Sequence, residues 1–410
     1  MSLIYTAMDI GSNTIKIVVA EKYNNNFNVI ANTMTPSEGI KNGEIVDMKQ
    51  AITSVKKAVR EIEDKLGIKI TKTIVCIPPN DSKMTMMQST IDISDNSNIS
   101  GADISNAINL AIKGNVTEDK EVIVVCPVSF SVDNIENIKD PKNMMGNKLS
   151  LKAVVALKDK ERVYKILEVL KLSGVEAVDI CFTSTGDYFT FKNSYMDANV
   201  GAVINIGYES TNISIFNHGI QIKNQLINIG SRNIDDDISY IFKINNKKAK
   251  ELKENFALAQ EEISDKTEIQ KLKDLYDDSI SINQSEISKI IEARLNELMS
   301  ICKKSILNLT NRKISYIIIT GGSSGMIGLQ NIVDKYFNGL GQISKINIVG
   351  IRNNAYSSAY GSIKYLDDKL QLRGKTISTI SDEELNKIVQ IDEKTNKTSQ
   401  KKSKFQLFDI

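Results

Sequence analysis

Apolar positions along the chain fall into short β-rich runs and longer runs of helical period, and two of the β runs are broken in the same way. Tyr5 to Met8 and Ile15 to Ala20 flank Asp9-Ile10-Gly11-Ser12-Asn13-Thr14. Val203-Ile204 and Ile213 to Phe216 flank Asn205-Ile206-Gly207-Tyr208-Glu209-Ser210-Thr211-Asn212. Each reads as strand, tight polar turn, strand, because glycine supplies backbone freedom while Ser, Thr and Asn supply local hydrogen bonds. Each meander continues into a third strand, Phe27 to Ala31 after the Asn24-Asn25-Asn26 turn and Ile220 to Leu226 after Asn217-His218-Gly219. Between the two blocks the period changes to 3.6. Val46, Ile52, Val55, Ala58, Val59, Ile62 and Leu66 form a stripe that Gly67 ends, and Thr73 to Ile77 is a β-branched strand closed by Pro78-Pro79.

From 81 to 157 the texture differs. Strands at Ser89 to Ile93, Glu121 to Val125 and Leu151 to Leu157 surround one helix with the stripe Ile104, Ala107, Ile108, Ala111 and Ile112. This predicts a small α+β insertion of roughly 75 residues, within the size range of a domain. Arg162 to Leu172 reads as an amphipathic helix and Ala177 to Cys181 as a strand. After Gly230 the pattern predicts helices, with 243–309 a charged helical region containing Lys247 to Phe256 and Glu286 to Leu309. Tyr316 to Ile319 is an apolar strand running into Thr320-Gly321-Gly322-Ser323-Ser324-Gly325, and Tyr356 to Leu370 closes the globular part as a helix. Past 374 the composition turns polar and reads as a flexible linker to 400. Apolar residues return behind three lysines in Lys401-Lys402-Ser403-Lys404-Phe405-Gln406-Leu407-Phe408-Asp409-Ile410.

Composition narrows the function classes. With 52 basic and 50 acidic residues in 410, no global field favours nucleic acid or a membrane surface. No run approaches the apolar length of a spanning helix, and Met1 to Met8 enters a strand without the layout of a secretory signal. Cys76, Cys126, Cys181 and Cys302 stand far apart in apolar contexts, which fits reduced buried thiols and not a metal cluster. The lone His218 reads as a turn residue.

The chemistry is concentrated in the loops at 9–14, 205–212 and 320–325, each of which follows a strand. Two hairpins can offer N–H groups and hydroxyls to a polyphosphate from two sides. Asp9 is placed to hold Mg²⁺ through water, since a hard cation on phosphates takes oxygen ligands. Lys16, on the returning strand, is placed to neutralise phosphate, and Gly321-Gly322 lets backbone approach an adenine or ribose. The candidate nucleotide-binding set is Asp9, Gly11, Ser12, Asn13, Thr14, Lys16, Asn205, Gly207, Ser210, Thr211, Asn212, Gly230, Lys250, Lys253, Gly321, Gly322 and Ser323.

These loops resemble the nucleotide-binding signature of the actin, heat-shock chaperone and sugar kinase superfamily. More narrowly, the chain resembles the FtsA family of bacterial cell-division actin homologues over about residues 1 to 370. The likeness rests on Asp9-Ile10-Gly11-Ser12, Glu38-Gly39-Ile40 with Gly43-Glu44-Ile45-Val46-Asp47, and the insertion with Val132-Asp133, Asp140-Pro141 and Met145-Gly146-Asn147-Lys148-Leu149. It continues through Ile290-Ile291-Glu292-Ala293-Arg294, Thr320-Gly321-Gly322-Ser323 and Ala359-Tyr360-Gly361. The insertion discriminates, because actin and the chaperones lack it. The resemblance implies an α/β fold of two duplicated actin-like (ribonuclease H-like) domains around a nucleotide cleft. It divides the chain into a first core (1–80, 158–198, 353–373) with the insertion at 81–157, and a second core (199–242, 310–352) carrying the subdomain at 243–309. It further implies ATP with Mg²⁺ as cofactors, self-assembly into protofilaments, capture of an FtsZ C-terminal peptide near 243–309, and a peripheral location on the cytoplasmic face of the cell membrane at midcell.

The chain departs from the family pattern in four places. Asn205 stands where Asp is usual, Tyr208 and Glu209 replace a glycine-rich continuation, Gly230-Ser231 replaces Gly-Gly, and Lys250 stands where a ribose-holding Glu is expected, with Glu251 or Lys253 nearby. Asn cannot supply charge to hold Mg²⁺ or orient water, so at most a very slow ATPase is expected. The family's membrane helix is reduced to Phe405, Leu407, Phe408 and Ile410 behind Lys401, Lys402 and Lys404. Each lysine near an anionic surface contributes roughly 1 kcal/mol, so polymerisation would have to supply avidity. A pilus-assembly actin homologue binding an inner-membrane protein peptide is the alternative. A sugar or acetate kinase is disfavoured, because Asn205 leaves only Glu209 as a candidate base.

Overall fold

The computed structural model describes residues 3–93, 98–381 and 383–384. The chain begins with a meander of β1 (Leu3–Ile10), β2 (Thr14–Tyr23) and β3 (Asn26–Pro36), then a two-residue ladder of β4 (Ile40–Lys41) with β5 (Glu44–Ile45). Helix α1 (Met48–Leu66) starts where the Asp47 side chain accepts from Gln50 N and stops at Gly67, whose φ of 70° is left-handed. Ala51, Val55, Ala58, Val59 and Ile62 are its buried stripe, whereas Val46 lies before the helix and is exposed.

β6 (Lys72–Ile77) leads into the insertion, formed by β7 (Lys83–Asp92), α2 (Gly101–Ile112), β8 (Lys120–Val132), β9 (Ile135–Ile138) and β10 (Lys148–Asp159). Its sheet has the order β7-β10-β8-β9 and encloses its own core of Ile104, Ile108, Phe130, Leu149 and Leu151 against α2. These strands run longer than the apolar segments in the sequence, because long antiparallel pairing continues through polar positions on the exposed face. Lys158 anchors the end of β10: its ammonium donates to Pro78 O, Asn80 O and Asn80 Oδ1. Burial pushes its pKa down to about 8.

The chain returns through α3 (Lys160–Leu172) and β11 (Glu176–Phe182), crosses by α4 (Thr183–Phe191) and α5 (Ser194–Ala198), and enters a second meander of β12 (Val200–Ile206), β13 (Thr211–Asn217) and β14 (Ile220–Ile227). There follow α6 (Ser231–Phe242), α7 (Asn246–Asn255), β15 (Ile269–Lys273), β16 (Ser279–Asn283), α8 (Gln284–Leu309), β17 (Tyr316–Thr320), α9 (Leu329–Phe337), β18 (Gly341–Ile343) and α10 (Ser357–Leu372).

The two large sheets have one topology. The first has the order β3-β2-β1-β6-β11 and the second β14-β13-β12-β17-β18. In each, the meander pairs antiparallel and the two following strands add parallel to its first strand. Each sheet has its own hydrophobic core, the first including α1, α3 and α10 and the second α6, α8 and α9. Helices α4 and α10 cross where the halves meet. A Cβ on Gly361 would lie 1.7 Å from Gly186 O, and one on Gly186 would lie 2.1 Å from Ser358 O, so the backbones touch only because both residues are glycine.

Two sequence expectations need correction. The 243–309 region is not wholly helical, since β15 and β16 form an antiparallel hairpin between α7 and α8. The polar stretch after 374 does not begin as a free linker. Thr379 N donates to Ile4 O at 2.9 Å, Thr6 N donates to Thr379 Oγ1 at 2.7 Å, and Ile380 is buried in the first core. The membrane tail expected at 401–410 lies outside the described residues.

Candidate functional site

The polar turns of the two meanders face one cleft and are built alike. Gly11 N donates to Thr14 O at 3.2 Å, and Gly207 N donates to Ser210 O at 3.0 Å. One register step before each turn, Asp9 stands opposite Lys16 and Asn205 opposite Asn212. The equivalent positions differ in chemistry. Asp9 and Lys16 form an ion pair at 3.1 Å. Asn205 instead donates its amide to Asp187 Oδ2 at 2.6 Å, from the second sheet into the middle of α4.

Asp187 is fully buried and also accepts from Ser357 Oγ at 2.5 Å and Ser358 Oγ at 2.8 Å on α10. Burial, with a smaller contribution from the charge of Asp9, raises its pKa to about 6 against the lowering effect of these three donors. Thr320 Oγ1 donates to Ser357 Oγ at 3.1 Å, so the end of β17 belongs to the same network. Gly321 follows with φ +96°; a Cβ there would lie 2.5 Å from Ile206 O and 2.6 Å from Asn205 Oδ1. Only glycine lets the third loop close on the second.

The cleft has two adjoining compartments. The polar one, about 430 Å³, is lined by Asp9, Gly11, Ser12, Asn13, Thr14, Lys16, Asn205, Gly207, Ser210, Asn212, Gly321, Gly322 and Ser323. The other, about 530 Å³, is more apolar and lies among Ile206, Ile234, Phe256, Leu295, Leu298, Met326 and Ile327. Ser231, Glu254, Gly322 and Ser323 line both.

Four candidates take other places. Thr211 is buried and its hydroxyl donates to Ile229 O at 2.8 Å, inside its own sheet. Gly230 and Lys253 line the more apolar compartment. The Lys253 ammonium is held by Asp235 at 2.6 Å and Ser231 O at 3.1 Å, so it is a buried ion pair and not a free cation. Lys250 lies at the rim, donating to Asn13 Oδ1 at 3.0 Å across the cleft. Of the acidic residues near it, Glu254 borders the cleft and Glu251 does not.

A family model described as cell division protein FtsA matches residues 202–361, and one described as the SHS2 domain inserted in FtsA matches residues 81–157. The chain belongs to the FtsA family. Two FtsA relatives run along most of its length. The cell division protein FtsA of Bacillus subtilis is 26% identical over 381 residues, covering 91% of this chain and 86% of the relative. That of Streptococcus pneumoniae is 27% identical over 359 residues, covering 86% and 78%. Among solved structures, a PilM–PilN type IV pilus biogenesis complex aligns with a TM-score of 0.58 at 13% identity, over 87% of this chain and 96% of that one. MreB5 of Spiroplasma citri bound to ADP aligns at 0.53 and 13%, over 90% and 97%. With the duplicated sheets and the insertion, these establish an actin-like two-domain α/β fold carrying the FtsA insertion.

Residues that sequence reasoning missed lie mostly on segments without a loop motif. Asp187 sits in a helix of Thr, Ser, Gly and aromatic residues that carries no helical stripe. Glu254 is one turn beyond Lys250 on α7, and that spacing was its signal. Ser358, Asn353 and Ala355 also line the polar compartment from the start of α10 and the segment before it.

Proposed function

We propose that this FtsA-family chain binds ATP with Mg²⁺ in the cleft, assembles into protofilaments, and anchors the FtsZ ring to the inner face of the cell membrane. The observation that carries the nucleotide reading is the pair of matched hairpins opening on one polar compartment beside a more apolar one. That arrangement suits phosphates between the loops and a flat base among Phe256, Leu295 and Met326. Glu254, bordering both compartments, is suited to the ribose hydroxyls. The Oδ1 of Asn212, buried beside the loops without a hydrogen-bond partner, is a polar atom that a ligand or its hydration would satisfy. The fold neighbour MreB5 of Spiroplasma citri has been solved with ADP and with AMPPNP.

Asp9 would hold Mg²⁺ through water, and the bound ion would offset phosphate charge. The second loop offers the amide of Asn205 in place of a carboxylate, and the nearest acid behind it, Asp187, is occupied by three donors. Glu209, the remaining carboxylate on the second loop, is engaged by Asn42 N and Arg232, so binding would serve assembly and hydrolysis would be slow. Turnover of ATP by the purified protein at about 1 per second or faster would reject this.

In this reading the FtsZ contact belongs to 243–309, which holds α7, the β15–β16 hairpin and α8, and membrane attachment to residues 401–410. The decisive experiment is a pull-down with an FtsZ C-terminal peptide, with and without ATP. Capture of the peptide supports the adaptor reading. Its failure, with binding of an inner-membrane pilus-protein peptide instead, would favour the pilus-assembly alternative.

A further inference from the structure

The second loop carries a charge at its tip that the first loop lacks. Glu209 lines the polar compartment, its side chain is only 12% exposed, and it reaches across the cleft: Asn42 N in the first half donates to its Oε2 at 2.7 Å. Arg232, at the start of α6, donates to its other oxygen at 3.2 Å. A second tie of opposite polarity runs beside it, from the Lys250 ammonium to Asn13 Oδ1 at 3.0 Å. Both cross between the halves.

Four cations near the compartment are already committed. Lys16 is paired with Asp9, Arg232 with Glu209, and Lys253 with Asp235, while Lys250 is engaged with Asn13 and lies 4.0 Å from Glu254. An incoming phosphate chain would find Glu209 already in an anion's place at the second loop, and its terminal phosphate would compete with that carboxylate for the Asn42 N–H and the Arg232 guanidinium. A carboxylate at that depth, with one backbone donor and one guanidinium on it, already fills the role of an anion bound between the halves.

We propose that Glu209 is a built-in anion that ties the halves together with no nucleotide bound and makes the phosphate compartment favour a nucleoside diphosphate over a triphosphate. The preference for a diphosphate rests on the nucleotide reading above; the tie itself does not.

The test compares the full chain with Glu209→Gln, which keeps shape but removes charge, and with Glu209→Ala, which also removes the acceptor for Asn42 N. ADP and ATP affinities of the wild type and of Glu209→Gln are measured by calorimetry with Mg²⁺, and amide exchange at Asn42 is followed in Glu209→Ala without nucleotide. The wild-type chain should bind ADP at least tenfold more tightly than ATP. Glu209→Gln should gain at least tenfold for ATP and less than threefold for ADP, and Glu209→Ala should lose protection at Asn42. Equal affinities in the wild type, or an ATP affinity unchanged by Glu209→Gln, would overturn the inference while leaving nucleotide binding intact. If the wild type binds neither nucleotide, the reading of the site falls instead. Protection at Asn42 then decides the tie alone, its loss in Glu209→Ala supporting it and its persistence rejecting it.

Discussion

The first and second polar hairpins share backbone, register and closing hydrogen bond, yet they handle charge in opposite ways. In the first, the acid and base face each other across the ladder as Asp9 and Lys16. In the second, the matching positions are both amides, and the charge has moved behind the loop to Asp187 and forward to Glu209. The difference shows that a duplicated scaffold fixes where groups stand without fixing what they carry. It also separates the contacts: the first loop keeps its ion pair within one ladder, whereas the second directs its polar groups to α4 and to the first half.

The contrast breaks most severely at the buried pair under the second loop. Lys253→Ala leaves Asp235 buried with no counter-charge, and a loss of about 3–5 kcal/mol is expected, read from the denaturation midpoint at constant slope. A Lys253→Met, Asp235→Leu double variant should recover most of it. If Lys253→Ala costs no more than an exposed substitution, the ammonium is not the structural partner described.

Asn205→Asp makes the second loop chemically like the first and sharpens the comparison. The new carboxylate would replace an amide that stands 2.6 Å from Asp187. Two like charges so close cannot both ionise cheaply, so stability without nucleotide should fall by roughly 1–3 kcal/mol near neutral pH and recover toward pH 5. A flat pH response in thermal melts would show that the two groups move apart.

Asp187 itself gives the smallest effect. Its folded pKa, about 6, lies above the ordinary 3.8, so the folded state binds the proton more tightly. The favourable contribution is complete below the unfolded value and is lost as pH rises through about 6. Between pH 7.5 and 5 the wild-type chain should gain roughly 1 kcal/mol relative to Asp187→Asn, measured by chemical denaturation at both pH values. An identical pH dependence in the two proteins would remove Asp187 as the titrating group.

The loops, the meanders and the striped helices were legible because each has a local signal: a glycine turn between β-branched runs, or a 3.6-residue stripe with a cap at one end. Helix α4 had none. Thr183 to Phe191 is held in a helix by burial between the halves, and Ser184, Thr185, Gly186, Asp187 and Tyr188 are buried together. The β15–β16 hairpin was hidden by its shortness: β15 is mostly exposed, and in β16 only Ile280 and Ile282 alternate with polar residues, too brief a pattern beside the long helices. Thr211 and Lys253 were not legible as structural residues, because their partners, Ile229 O and Asp235, come from elements that only the tertiary fold brings near. The docked turn at 378–380 was missed because a single buried Ile in a polar run makes no periodic signal.

The glycine contact between α4 and α10 has a mechanical result. The chain passes from the first sheet into the second through α4 and returns through α10, so both covalent links share one pivot of touching backbone. Sliding is blocked there by the lack of any spare gap, and rotation remains as the open degree of freedom. Any swing of one jaw is thereby converted to a larger sweep at surfaces far from the fulcrum, much as a short squeeze on scissor handles moves the tips.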